Sequence, residues 1–188
     1  MPPPSEEARG FRFVSERERL NLGFFRVTSG TFVGPDGFTF EREIVRHPGA
    51  VCIVPLEADG DQVVMVRQYR APIDAMVLEF PAGKRDIPGE PPETCAVREL
   101  EEEVGRRAGA LRPIGVFVNS PGFNDEETHC FLATSLEAVV ESRQGIEEQH
   151  MTIETVSVAH FWELVDAGEL IDAKSIVAMT LAERALQR

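Results

Sequence analysis

The stretch LEFPAGKRDIPGEPPETCAVRELEEEVG, residues 78–105, contains the features that decide the fold. It begins as an apolar strand, breaks at Pro81 and continues through a loop rich in glycine and proline. Pro92 suits the first turn of a helix and Gly105 suits its end, because proline presets a helical φ and glycine accepts a left-handed cap. The stretch therefore predicts a strand, a loop and a capped helix in succession.

Acidic side chains share one side of this predicted helix. At about 100° per residue, Glu99, Glu102 and Glu103 point the same way, and carboxylates this close repel one another. A divalent hard cation such as Mg²⁺ would relieve the repulsion, because it binds carboxylate oxygens and substrate phosphates together. Most Glu-rich helices are solvated surfaces, but a short, capped helix tethered to a strand suits a site that binds metal for phosphate chemistry. The adjoining side, which we expect to pack against a sheet, carries Ala96, Val97, Leu100 and Val104.

The same residues match the signature of a known family. The Nudix hydrolases share a box that reads G, five residues, E, seven residues, and then R-E-U-x-E-E-x-G-U, where U is apolar. Here Glu90 is followed, after seven residues, by RELEEEVG at 98–105, so the chain resembles this family. It departs from the box twice, because six residues separate Gly83 from Glu90 and the last apolar position is Arg106. The additional residue lies in the loop and leaves the helical spacing intact.

The resemblance implies roles for the residues in and around the box. Arg98 would support the ligand carboxylates, since a neighbouring cation keeps them ionised, and Glu79 and Glu90 would support the box. Mg²⁺ is the expected cofactor, with Mn²⁺ as a substitute. Glu99 and Glu103 also count among the expected catalytic residues. The expected metal ligands are the backbone carbonyl of Ala82 and the side chains of Glu99, Glu102 and Glu103.

A general base is expected in an acidic segment near the end of the chain. Cleavage of a pyrophosphate needs an activated water, and a base accepts the proton of that water. In the ADP-ribose pyrophosphatases, which the chain resembles most from about residue 20 onward, an acidic loop carries this base. The run EEQHMTI (147–153) is laid out similarly, and Glu148 is the preferred candidate. Glu147 and His150 are the alternative candidates for the base. The non-functional alternative is that these acidic residues are simply solvated side chains of a loop.

Five further positions are implied to bind substrate. Arg70 ends a strand, where its guanidinium can fork onto phosphate oxygens, although it also suits a surface arginine. Ser120 and Gly122 belong to an SPGF loop in which glycine permits close backbone approach. Phe25 and Arg42 lie in an N-terminal sheet that the resemblance implies is exchanged across a homodimer. Phe25 would then stack on adenine and Arg42 would reach a neighbouring site, although composition alone favours a core role for Phe25.

The rest of the chain predicts a mixed sheet with helices on its faces, and the resemblance implies an α/β/α sandwich of the Nudix type. We expect residues 1–9 to be a disordered tail and 10–46 a small antiparallel sheet that cannot be stable alone. Residues 47–188 would form the catalytic domain. The expected strands after residue 46 lie at 50–57, 63–70, 78–80, 111–118, 128–136 and 151–158. Helices are expected at 160–168 and from a cap at Asp172 to about Leu186.

Composition narrows the classes of partner and the location. A net charge of −13 argues against non-specific binding to nucleic acid or anionic membranes. The chain has no apolar run long enough to cross a membrane and no signal-peptide pattern at its N-terminus. Cys52, Cys95 and Cys130 are far apart and suit buried thiols in a reducing compartment. We expect a cytoplasmic protein.

The leading hypothesis is a metal-dependent hydrolase that converts ADP-ribose to AMP and ribose 5-phosphate. One alternative is the same chemistry on another nucleoside diphosphate sugar, such as GDP-mannose. Two others are not enzymes: a nucleotide-sensing Nudix module, or a scaffolding dimer with a merely acidic helix. Retention of all three glutamates argues against the sensing module, because a non-catalytic site has no need of them.

Overall fold

A computed structural model describes residues 9–143 and 145–187. The tail expected over residues 1–9 therefore lies, except for Arg9, outside the described residues. Two compact units are present, and the chain passes from the first to the second and back before it ends in the second. Among the described residues, 9–48 together with 118–126 form the first unit.

The first unit is built on a three-stranded antiparallel sheet in the order β1-β2-β3. Its aromatic side chains pack on each other, and the rings of Phe32 and Phe40 stack 5.6 Å apart. Segment 118–126 joins this unit, since Asp125 accepts a 2.9 Å hydrogen bond from Arg46. Every residue of β1 is exposed to solvent. The strands are β1 (Arg12–Asn21), β2 (Arg26–Val33) and β3 (Thr39–Arg46).

The described part of the second unit contains two sheets with seven strands. One sheet has the order β7-β4-β9-β8 and the other β10-β5-β6. β4 runs parallel to β9 and antiparallel to β7, so the larger sheet is mixed. The strands are β4 (Ala50–Pro55), β5 (Gln62–Arg70), β6 (Ala75–Glu79), β7 (Ala82–Lys84), β8 (Arg106–Val118), β9 (Glu127–Ala138) and β10 (Thr152–Ser157).

Four helices of the described residues accompany these sheets. A 3₁₀ turn follows β5, and the one-turn helix α2 lies where the sequence predicted only an acidic connection. None of the helices in the described part of the chain is long and apolar enough to cross a membrane. The helices are α1 (Pro92–Val104), α2 (Ile146–Gln149), α3 (Val158–Asp166) and α4 (Ala173–Leu186).

The core of the second unit lies on both faces of β4. Successive side chains of a strand point to opposite faces, and all six residues of β4 are buried. Val51 and Ile53 belong to the cluster that contains Leu100 of α1. Cys52 and Val54 belong to the opposite cluster, to which α3 and α4 contribute. The expected mixed-sheet sandwich with a small N-terminal antiparallel sheet is therefore confirmed.

Candidate active site

Helix α1 has the predicted ends and almost the predicted buried side. It begins after Pro91 and ends before its cap, Gly105, whose left-handed conformation (φ 59°, ψ 40°) lets its N–H donate to the carbonyl of Glu101. The expectation that Val97 packs in the core is wrong, because its side chain is 38% exposed. Cys95 is buried instead, which turns the buried side toward Glu99 and Glu103.

The bend between β6 and β7 lies against the acidic side of α1. The N–H of Ala82 donates to Oε2 of Glu103 at 3.1 Å, and Glu103 is only 4% exposed. A Cβ built on Gly83 would overlap the carboxyl carbon of Glu99. Glycine at position 83 is therefore what lets the Glu99 carboxylate lie directly over the bend. The structure brings Ala82, Glu99 and Glu103 together.

Arg98 pairs with three carboxylates at once. Its Nε and Nη2 each donate to Glu90 at 3.1 Å, and its Nη1 donates to Glu99 at 2.7 Å and to Glu102 at 3.3 Å. The bond from Arg98 lowers the pKa of Glu90. These ion pairs suit the supporting role that the resemblance assigns to Arg98 and Glu90.

The ionised form is unfavourable at two carboxyl groups beside the bend, those of Glu99 and Glu103. Burial raises the pKa of Glu99 to about 7, since the opposing effect of Arg98 is smaller and the charges of Glu102 and Glu148 add to the rise. Burial, and after it the charge of Glu99, raises the pKa of Glu103 well above its usual range. A bound dication would remove this penalty by stabilising the ionised forms.

The acidic side of α1 and the Ala82 carbonyl offer the kinds of oxygen ligand that a divalent hard cation binds. Carboxylate oxygens and a backbone carbonyl are the ligands that such ions take, and the overlap at Gly83 shows that Glu99 and the bend share one small space. Within residues 9–143 and 145–187, no three Asp, Glu, His or Cys side chains are already grouped around an ion position. Arg98 already forms ion pairs with Glu99 and Glu102. An ion would have to compete with the guanidinium for these two ligands.

The expected base lies on α2. Oε2 of Glu148 accepts a 3.2 Å hydrogen bond from the N–H of Gly145, which is the cap of this helix. Arg143 donates to the carbonyls of Glu148, at 3.3 Å, and Met151, at 2.9 Å, and so braces the segment. The charge of Glu148 adds to the raised pKa of Glu99, after the larger effect of burial. The alternative bases, Glu147 and His150, are exposed.

Arg70 and Glu79 form an ion pair at the end of β5. Nε and Nη2 of Arg70 donate to the two carboxylate oxygens of Glu79 at 2.8 and 2.7 Å. Glu79 is 1% exposed, whereas the Arg70 side chain is 40% exposed. Glu79 therefore anchors Arg70 along one edge of the guanidinium, in keeping with its expected supporting role.

The remaining expected substrate residues belong to the first unit. Phe25 is half-buried with its ring edge-on to Phe24 (4.8 Å, 71°). Arg42 is exposed and lies over the ring of Phe40. The carbonyl of Ser120 accepts the N–H of Asn124 at 2.9 Å, and a Cβ built on Gly122 would meet nothing within 4 Å. A substrate role for these residues stays a prediction.

One buried group beside the bend was not predicted from the sequence. Ser175, in the first turn of α4, accepts the N–H of Phe80 at 2.8 Å. The predicted cap at Asp172 is confirmed, since its Oδ2 accepts the N–H of Ser175 at 2.9 Å. Serine three residues after a capping aspartate is a local signal for the cap, but nothing local predicts its bond to Phe80.

Comparison with known proteins shows which family the chain matches and which proteins it resembles. Residues 46–178 match the family described as NUDIX domain. The ADP-ribose pyrophosphatase of Bacillus subtilis (strain 168) is 41% identical over 145 residues, which is 77% of each chain. The methanol dehydrogenase activator of Bacillus methanolicus is 36% identical over 146 residues, again 77% of each chain.

A solved structure shows the same fold. The crystal structure of an ADP compounds hydrolase superposes with a TM-score of 0.81 and covers 97% of both chains, at 24% sequence identity. At this level of identity the likeness supports the fold alone. The box over Glu90–Gly105, the family match over 46–178 and the relative at 41% identity agree with one another. The chain belongs to the Nudix hydrolase family.

Proposed function

We propose that this protein is a metal-dependent hydrolase that cleaves the pyrophosphate bond of ADP-ribose to give AMP and ribose 5-phosphate. The observation that carries the proposal is the meeting of the buried carboxyl groups of Glu99 and Glu103 with the bend at Ala82 and Gly83. The choice of ADP-ribose is supported by the 41% identity to a protein named ADP-ribose pyrophosphatase.

In this proposal the acidic side of α1 holds the cofactor. Glu99, Glu102 and Glu103, with the carbonyl of Ala82, would bind Mg²⁺, or Mn²⁺ as a substitute. A divalent ion, when bound, screens phosphate charge and activates water. Arg98 would balance the carboxylates before an ion arrives, since it already pairs with Glu99 and Glu102.

The protein's own groups would orient the substrate and accept a proton. Glu148 would take the proton of the attacking water, and its bond from Gly145 fixes the orientation of the carboxylate. Glu79 occupies Nε and Nη2 of Arg70. The opposite edge of the guanidinium, formed by Nη1 and the second N–H of Nη2, would therefore be the one that meets phosphate oxygens.

We extend the proposal to a homodimer in which the first unit contributes to substrate binding. Phe25 would stack on the adenine, Arg42 would serve a neighbouring site, and Ser120 and Gly122 would contact the substrate. β1 is an edge strand of its sheet, and long exposed edge strands favour pairing with another chain. Its exposed apolar side chains, which include Phe13 and Leu20, also support burial of β1 against a second subunit. Sedimentation velocity would show a dimer mass, and a monomer at working concentration would reject this part.

The proposed location is the cytoplasm. Cys52, Cys95 and Cys130 are free thiols and are buried. Cys52 and Cys130 lie opposite each other on β4 and β9 without forming a disulfide. This arrangement suits a reducing compartment.

A small substrate panel tests the activity. Purified protein with Mg²⁺ would be given ADP-ribose, GDP-mannose and other nucleoside diphosphate sugars, and the products would be separated by anion exchange. We expect AMP and ribose 5-phosphate from ADP-ribose, no turnover with Glu103→Gln, and normal turnover with Glu101→Gln, whose carboxylate pairs with Arg107 away from the bend.

Other outcomes of the panel separate the alternatives. Faster turnover of GDP-mannose would favour the other nucleotide-sugar specificity. Tight binding of a nucleotide without detectable turnover in the wild type would favour the sensing module. Absence of both turnover and stabilisation by Mg²⁺ would leave the scaffolding dimer.

A further inference from the structure

Helix α4 reaches the active-site bend through one buried hydroxyl group. Ser175 is fully buried. Its Oγ accepts the N–H of Phe80 at 2.8 Å and donates to Oδ2 of Asp172 at 2.7 Å. A hydroxyl group can do both at once, so a single side chain links the bend to the cap of α4.

The far end of this link is itself held in place. Asp172 accepts the backbone N–H of Ser175 at 2.9 Å through the same oxygen, and its Oδ1 accepts Nζ of Lys174 at 2.9 Å. Both charged side chains are mostly shielded from solvent. Two further donors therefore fix the carboxylate that orients the Ser175 hydroxyl.

The near end of the link is the segment that presents Ala82 to the carboxylates. The N–H of Phe80 goes to Ser175, the carbonyl of Pro81 accepts the N–H of Ile53 at 2.9 Å, and the N–H of Ala82 goes to Glu103. Buried backbone groups must be paired, and proline supplies no N–H of its own. The course of this bend is thus set by α4 on one side, β4 beneath it and α1 on the other.

We propose that Ser175 is a positioning residue of the active site, which acts through Phe80 to set how Ala82 faces Glu103. Without the hydroxyl, the buried N–H of Phe80 loses its acceptor, and the bend must shift to satisfy it. A shift there moves the Ala82 carbonyl relative to α1. The inference rests on the proposed function for the reaction that is affected.

The test compares two hydroxyl deletions on the same helix. Thr180 is exposed and donates only within α4, to the carbonyl of Ile176 at 2.8 Å, so Thr180→Ala is the matched control for Ser175→Ala. Small displacements of positioned groups lower rates steeply, so we expect kcat of Ser175→Ala to fall about 10- to 100-fold while KM changes less than about threefold. The MgCl₂ concentration that gives half of the maximal thermal stabilisation should also rise several-fold, and Thr180→Ala should match the wild type in every measurement.

Ser175→Cys guards against a failure of Ser175→Ala to fold. Cysteine nearly conserves the volume, while its sulfur is a weak donor and acceptor, so we expect an intermediate fall in kcat and an intermediate rise in the MgCl₂ midpoint. If Ser175→Cys does not fold either, Ser175 belongs to the core alone and the inference is overturned.

The two proposals fail in distinguishable ways. A lower melting temperature of Ser175→Ala with unchanged kcat and an unchanged MgCl₂ midpoint would make the serine merely structural and leave the hydrolase intact. A wild type without turnover, but with a midpoint that moves in Ser175→Ala, would reject the hydrolase and keep the positioning role. A wild type that neither turns over substrate nor responds to MgCl₂ would overturn both.

Discussion

Replacement of Glu99 by glutamine should stabilise the metal-free protein at neutral and alkaline pH. The Glu99 side chain is 12% exposed and its pKa rises from 4.5 to about 7, chiefly through burial. The folded state therefore binds a proton more tightly than the unfolded state does. Stability linked to this proton is fully present below pH 4.5 and is lost as the pH rises through about 7.

The size of the effect follows from that difference in pKa. A pKa difference of about 2.5 corresponds to about 3.4 kcal/mol at about 1.36 kcal/mol per pKa unit. About 2.5 kcal/mol of this is lost between about pH 5 and pH 8. Glutamine stands in for the protonated form, so Glu99→Gln should exceed the wild type by about 3 kcal/mol at about pH 8. It should also show a flatter dependence on pH.

Urea unfolding of EDTA-treated protein at several pH values measures this difference. The fluorescence of Trp162, the single tryptophan, reports on the second unit, because it lies in α3 against Phe161. Glu101→Gln is the control on the same helix. The bond from Arg107 lowers the pKa of Glu101, so removal of that charge should slightly destabilise the protein at pH 8 instead.

Two results would refute the reasoning. One is a Glu99→Gln variant less stable than the wild type at pH 8 in EDTA, which would make the ionised carboxylate a structural asset. The other is a pH dependence that the substitution leaves unchanged, which would place the titrating group elsewhere. Addition of Mg²⁺ should reverse the order of stability, because a ligand that binds only the folded state stabilises it.

Gly83→Ala should abolish metal-activated turnover while circular dichroism shows a retained fold, because the new Cβ overlaps the Glu99 carboxyl group; normal activity would mean that Glu99 has no fixed place over the bend. Arg70→Ala should lower the free energy of unfolding by about 2–3 kcal/mol in urea titrations, since it leaves the buried Glu79 carboxylate unpaired. A loss below about 1 kcal/mol would show that water replaces the guanidinium. Glu148→Gln should lower kcat about 10²- to 10⁴-fold with the Mg²⁺ midpoint unchanged in thermal melts, and an unaltered rate would move the base to another residue.

The sequence predicted the elements whose signals are local. Proline at the start and glycine at the end marked α1 to within a residue, and the capping aspartate marked α4. The i, i+3, i+4 spacing brought out the acidic side of α1 without any knowledge of the sheet. The exchange of Val97 for Cys95 in the core was not predictable in this way, because the strands beneath the helix decide which edge of an apolar stripe is covered.

Other elements have local sequence signals too weak for their bounds or their existence to be predicted. Strand β8 begins at Arg106, directly after the cap of α1, and not at residue 111 as expected. It lies at the edge of its sheet, where exposed positions do not require apolar residues. Residues 106–110 therefore show no alternation of apolar and polar side chains. Helix α2 is too short for periodicity, and only glycine followed three residues later by Glu148 marks it.

Long-range contacts of the site lay beyond any sequence pattern. The bond between Phe80 and Ser175 joins residues 95 positions apart. The pairing of Arg98 with Glu99 and Glu102 follows from helical neighbours, but its pairing with Glu90 depends on the path of the loop. The spacing of glutamates in the sequence thus identifies the carboxylates of the site, whereas the fold determines how they are oriented.

The ion pairs of Arg98 with Glu90, Glu99 and Glu102 make folding of the chain independent of metal binding. A newly made chain can complete α1 with its own internal counter-charge, so maturation does not wait on the supply of free cation. Purification in chelator should accordingly yield intact protein that awaits its ion. Arrival of a cation then becomes an exchange of partners within a finished cavity.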